Sequence, residues 1–74
     1  MEKEKNSIES RVAHNIKEWR FRRDWTPEEL SMYSGVSRST IRRIEKEAPN
    51  TTISNVQALA KALKIDPIRL FEKY

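Results

Sequence analysis

The stretch Pro-Glu-Glu-Leu-Ser-Met-Tyr-Ser-Gly-Val-Ser-Arg-Ser-Thr-Ile-Arg-Arg-Ile-Glu-Lys, residues 27–46, decides how the rest of the chain is read. Its ninth residue, Gly35, is the only glycine in the 74-residue sequence. A glycine that closes a helix does so because the position needs a positive φ, where a Cβ is strained. Residues with helical potential precede Gly35, and Val36 and Ser37 lead into a second helical pattern. Ser37 offers a side-chain oxygen to cap that second helix. Two short helices about a tight glycine turn form a helix-turn-helix, a motif whose second helix commonly lies in the DNA major groove.

Outward from this stretch the chain divides into further helices. Upstream, Ile8, Val12, Ile16 and Trp19 fall at helical spacing, with Arg20 extending the same face. Ser7 caps this first helix, which is expected to end near Arg23 and Asp24, with Ile16 and Trp19 in the core. His14 points away from the stripe as a surface residue, and Lys17, Arg22 and Arg23 read as solubilising charges. Thr26, Pro27 and Glu29 make a strong start for the second helix, a cap, a first-position proline and a capping box. That helix runs to about Ser34 and buries Leu30 and Tyr33. The third spans about Arg38 to Glu47, with Ile41 and Ile44 inward and Arg38, Ser39, Arg42 and Arg43 on its other faces.

Residues 48–52 form a loop, and Thr52 caps a fourth helix from Ile53 to Leu63 whose buried stripe is Val56, Leu59, Ala60 and Leu63. Asp66 and Pro67 start a fifth, short helix carrying Ile68, Leu70 and Phe71 and ending around Lys73. The expectation is an all-α, compact five-helix domain over residues 7–74, with residues 1–6 a charged, disordered tail.

The ordered set of Ser31, the turn Gly35 to Ser37, and Ile41 and Ile44 followed by Glu45 resembles the DNA-binding domain of the lambda repressor and Cro (XRE-like) family. Residues 16–20 upstream and 58–63 downstream belong to the same likeness, which covers about residues 12–71. The resemblance implies a lambda-repressor-like fold and base contacts from Arg38, Ser39 and Arg43, with Arg42 between them reaching a base or a phosphate. Arginine can give two parallel bonds to guanine N7 and O6, and serine can donate or accept. Phosphates are expected at helix N-termini and the following loop, where free N–H groups favour anions. The candidates are Thr26, Ser37, Thr40, Lys46, Asn50, Thr52 and Asn55.

The family often pairs the residues that here are Arg20 and Glu45, tying the first helix to the third. A planar guanidinium can grip a carboxylate with two bonds at such a junction. Three positions depart from the family pattern. Pro27 replaces a glutamine that often contacts phosphate, Thr51 replaces a common proline, and Glu47 stands where glycine usually follows the third helix. The last change predicts that the third helix continues to Ala48 and stops at Pro49.

Composition narrows the function class. The formal net charge is +4, and residues 37–46 carry Arg38, Arg42, Arg43 and Lys46 against Glu45 alone, a net +3. Such a one-signed face favours an anionic partner over mere solvation. There is no cysteine and one histidine, so no metal, cofactor or disulfide framework is expected. No apolar run approaches the ~20 residues of a membrane span, and no secretory signal opens the chain, so a cytoplasmic location is expected. No acid–base pair, nucleophile constellation or Gly-rich phosphate loop supports an enzyme, and no small-molecule ligand is expected.

These features predict a sequence-specific, double-stranded DNA-binding transcriptional regulator of repressor type. A homodimer on a palindromic operator would use Phe71 and Tyr74 as contacts. The alternative is a protein-binding module, such as an antitoxin or anti-repressor component, built on the same helical scaffold.

Overall fold

The structure, a computed structural model, describes residues 6–74. Its elements are α1 (Ile8–Arg22), α2 (Pro27–Ser34), α3 (Arg38–Glu47) and α4 (Ile53–Leu63), followed by a 3-10 helix at Pro67–Phe71. No strand occurs among the described residues. The expected disordered tail falls outside the described residues for positions 1–5. Asn6, its last member, has φ 68° and accepts a bond from the Tyr74 backbone N–H at 3.3 Å.

All four α-helices start as the cap chemistry dictates. The side-chain oxygens of Ser7, Thr26, Ser37 and Thr52 accept from the backbone N–H three residues on. Each such cap is worth about 0.5–2 kcal/mol. At α2 the capping box is complete, since the Glu29 carboxylate also accepts from the Thr26 N–H at 2.9 Å.

Two expectations about helix ends are corrected. The fifth helix is not an α-helix, so the domain has four α-helices rather than five. The Asp66 carbonyl accepts from Arg69 N–H at 2.9 Å, an i→i+3 bond, and the chain is already extended at Glu72. In between, the Asn15 side-chain amide from α1 donates to the carbonyls of Leu70 at 3.1 Å and Glu72 at 2.8 Å. Carbonyls engaged by another element do not propagate a helix, and a five-residue segment closes most readily as 3-10.

The second correction concerns α3, which ends at Glu47 rather than including Ala48. Ala48 takes the left-handed conformation, φ 47° and ψ 53°. The ring of Pro49 crowds a right-handed helical residue before it, so the helix breaks there.

The core gathers the inward stripes of every element. Ile16, Leu30, Ile41, Leu59, Ala60, Leu63 and Leu70 are wholly buried, and Val12, Ala13, Val36, Ile44 and Val56 nearly so. Burying one leucine or isoleucine side chain contributes about 1.5–3 kcal/mol, so this shared core holds the helices in place. α1 lies against α3, α4 and the 3-10 helix, while α2 lies against α3 and α4. Trp19 is only partly buried, packed on the core's edge with the Arg22 guanidinium 4.5 Å from its ring.

One residue expected inside is outside. Tyr33 is exposed and stacks on Trp25 with centroids 4.6 Å apart, because two turns of α2 offer one inward position, taken by Leu30. Ile8, in the first turn of α1, is exposed as well.

Candidate nucleic-acid interface

Gly35 has φ 77° and ψ 1°, and its N–H donates to the Ser31 carbonyl at 2.9 Å. A Cβ built there would meet nothing within 4 Å, so glycine is required by the backbone and not by crowding. The chain then drops Val36 into the core and restarts at Ser37, whose capping bond from Thr40 N–H is 3.2 Å long. Burial of Leu30, Val36, Ile41 and Ile44 fixes α3 against α2 and leaves the opposite side of α3 in solvent.

That outer side carries Arg38, Ser39, Arg42, Arg43 and Lys46, all exposed. Arg38 and Lys46 form no hydrogen bond or ion pair among the described residues. Arg43 has only a loose approach to Glu47 at 3.8 Å. Arg42 is bonded to the Glu28 carboxylate, which projects from the first turn of α2.

Glu45 faces the other way. The Arg20 guanidinium donates from Nε to its Oε2 at 2.9 Å and from Nη2 to its Oε1 at 2.7 Å. Nη1 of Arg20 donates to the Trp25 carbonyl at 2.7 Å, so the same guanidinium also pins the α1–α2 connection. The two side chains are only 8% and 10% exposed. The bonds to Glu45 raise the Arg20 pKa above its ordinary value, against an opposing effect of burial, so Arg20 stays charged at any working pH. The carboxylate of Glu45 is thereby neutralised on the inner side of a helix whose outer side is positive.

The helix N-termini differ in what they offer an anion. The first turn of α2 contains Glu28 and Glu29, and Pro27 brings no N–H, so Thr26 sits in an acidic setting. No acidic residue lies in the first turn of α3 or of α4. Thr40 and Arg43 of α3 share a polar groove with Asn50, Thr52 and Asn55 of the loop and the α4 start. Five expected contact residues thus meet in one concavity, with Lys46 exposed on the same helix as Arg43. Thr26, the cap of α2, does not line this groove.

Phe71 is partly buried against the core, and Tyr74 stacks on His14 with centroids 3.9 Å apart and planes 11° from parallel. Besides the bond from the Tyr74 N–H to the Asn6 side chain, sequence reasoning missed three further long-range polar contacts. These are Glu28 with Arg42, Asn15 with the terminal segment, and Arg23 with the Leu63 carbonyl at the end of α4. Arg23 is thus a capping residue as well as a solubilising one. An asparagine beside the apolar stripe of α1 was the one available signal for Asn15.

Residues 16–70 match the sequence profile of the helix-turn-helix family HTH_3. The chain belongs to that family, the Cro/C1-type (XRE-like) class of transcription regulators. A hypothetical transcription factor from Neisseria meningitidis is 29% identical over 59 residues, which are 80% of this chain and 56% of that protein. The chain therefore spans little more than half the length of this curated relative.

Among solved structures, the restriction-modification controller protein C.AhdI from Aeromonas hydrophila superposes with TM-score 0.77 at 31% identity. That match covers 82% of this chain and 92% of C.AhdI. The hypothetical transcription factor NHTF from Neisseria superposes with TM-score 0.86 over 99% of this chain and 84% of its own, at 23% identity, a likeness of fold. No helix among the described residues is long and apolar enough to cross a membrane.

Proposed function

We propose that this domain is a sequence-specific reader of double-stranded DNA that inserts α3 into the major groove and acts as a transcriptional regulator. The observation that carries the reading is the division of α3. Ile41 and Ile44 are buried, while Arg38, Ser39, Arg42, Arg43 and Lys46 stand in solvent with the inward Glu45 neutralised by Arg20. Arg38, Ser39, Arg42 and Arg43 are the base-reading set. Phosphates are gripped by Ser37, Thr40, Thr52 and Asn55 at the starts of α3 and α4, whose first turns carry no carboxylate, and by Lys46 in the last turn of α3 and Asn50 in the loop. Thr26 is the weakest member of that set because Glu28 and Glu29 flank it.

In the repressor-like mode the domain acts by occupying an operator through the outer side of α3. A cytoplasmic homodimer on a palindrome would set two copies of α3 about 34 Å apart, with Phe71 and Tyr74 as contacts. A protein-binding module in place of a DNA reader has less support. In the 3-10 helix Leu70 is buried and Phe71 half-buried, leaving only Pro67 and Ile68 as its exposed apolar side chains.

The test is selection of bound duplexes from a random pool at ~150 mM salt, which suppresses purely electrostatic binding. A recovered palindrome whose half-sites change in Arg38, Ser39 or Arg43 variants is the expected result. Weak, salt-sensitive binding without enrichment would overturn the reading.

A further inference from the structure

Among the described residues the Glu28–Arg42 bridge is the one ion pair that joins α2 to the outer face of α3. Its side chains are 42% and 61% exposed, so solvent screens the pair and it contributes little to stability. The burial of Leu30, Val36, Ile41 and Ile44 already fixes these two helices, and the bridge adds little to that. A carboxylate beside a surface meant for phosphates also carries a cost, since it repels them. Glu29, its neighbour, has a structural task in the capping box, whereas Glu28 among the described residues is bonded to Arg42 and acts on Arg20 only through space, as a weaker charge than Glu45.

What the bridge does control is where the Arg42 charge points. An arginine beside DNA can bond either to a base edge or to a phosphate, and in the second case it carries no sequence information. A guanidinium has five N–H donors, and Arg42 commits one N–H of Nη2 to Glu28, which leaves the second Nη2 N–H on the other edge. The remaining edge can still give two parallel bonds to guanine N7 and O6. Resting on the reading of α3 as the groove-bound helix, we infer that Glu28 is a specificity-determining residue. It holds Arg42 off the phosphates and presents it to one guanine, without touching DNA itself.

The test compares wild type, Glu28→Gln, Arg42→Ala and the double variant on the selected duplex and on duplexes changed at each position, over a range of salt. Wild type and Glu28→Gln should both melt within a few degrees of each other, since the pair is exposed. Glu28→Gln is expected to lose about tenfold discrimination at the one base pair that Arg42→Ala also relaxes, a part of the range for a bidentate arginine–guanine contact. It should also bind unrelated DNA more tightly, with a salt slope steeper by about one, because the freed Arg42 takes a phosphate. In the Arg42→Ala background, Glu28→Gln should leave discrimination unchanged.

Unaltered discrimination in Glu28→Gln, or an equal change with and without Arg42, would overturn the inference while leaving the DNA reading standing. Failure of the wild type to select any sequence would remove both.

Discussion

Replacing Glu45 by alanine removes a carboxylate from beneath a guanidinium that cannot leave. Arg20 is 8% exposed and would keep a single partner, the Trp25 carbonyl, of the three bonds it now makes. Breaking a buried pair from one side costs about 3–5 kcal/mol, because a desolvated charge is left behind. Arg20 retains one bond, and water can enter the space vacated by a short side chain, so the lower end, about 3 kcal/mol, applies.

At about 2.1 cal/mol/K per residue, unfolding 74 residues releases roughly 0.16 kcal/mol/K, and the melting temperature should fall by roughly 20 °C. Thermal unfolding followed by circular dichroism measures this, and DNA affinity at the assay temperature should fall with it as α3 loses its tie to α1. Arg20→Met with Glu45→Leu should recover much of the loss, since well-packed apolar pairs often equal buried ion pairs.

The pH dependence has a definite sign. Arg20 has a raised pKa, so its stabilising effect is complete below its ordinary value and is lost only as pH rises through the raised one. The gap in melting temperature between wild type and Glu45→Ala should therefore stay constant from about pH 7 to about pH 10. A fall of less than about 4 °C in Glu45→Ala, the size expected of an exposed pair, would refute the argument.

Other substitutions probe the backbone, the tail and the groove. Gly35→Ala meets no atoms but must hold φ 77°, so about 1–2 kcal/mol should be lost; Ala48→Gly at φ 47° should gain about 1 kcal/mol, both read by denaturant midpoint. Asn15→Ala deletes two bonds to the terminal segment and should cost about 2 kcal/mol, with amide exchange accelerated first in residues 66–74. Arg43→Ala should weaken the selected site by about 1–3 kcal/mol and relax one base. Lys46→Ala should instead weaken all duplexes alike and lower the salt slope by about one, as titration at several salt concentrations would show.

What the sequence made legible, and what it hid, follows the range of the interactions. The bounds of α2, α3 and α4 could be placed because Thr26, Ser37, Thr52 and Gly35 act on neighbours within one helical turn. The buried faces of α3 and α4 were legible for the same reason, since spacing alone sets which side a residue occupies. Ala48 was misplaced because two local signals, helix continuation through Glu47 and the veto of Pro49, compete at one residue. The terminal helix changed type because its carbonyls answer to Asn15, across more than fifty residues of chain. The bridge between Glu28 and Arg42 was hidden similarly, since it exists only once two helices have crossed. At the candidate interface the charged helix was legible, but the neighbours that aim it were not.

The bond between the Tyr74 N–H and the Asn6 side chain places the two ends of the described chain side by side. Any polypeptide attached before Asn6 and any attached after Tyr74 would leave the domain at the same corner, as if from a single anchor point. A short peptide could join the ends into a ring without disturbing the helices, and new ends could then be opened in the exposed loop at Asn50. The domain is thus suited to insertion within another protein as a self-contained cassette, entered and left through one doorway.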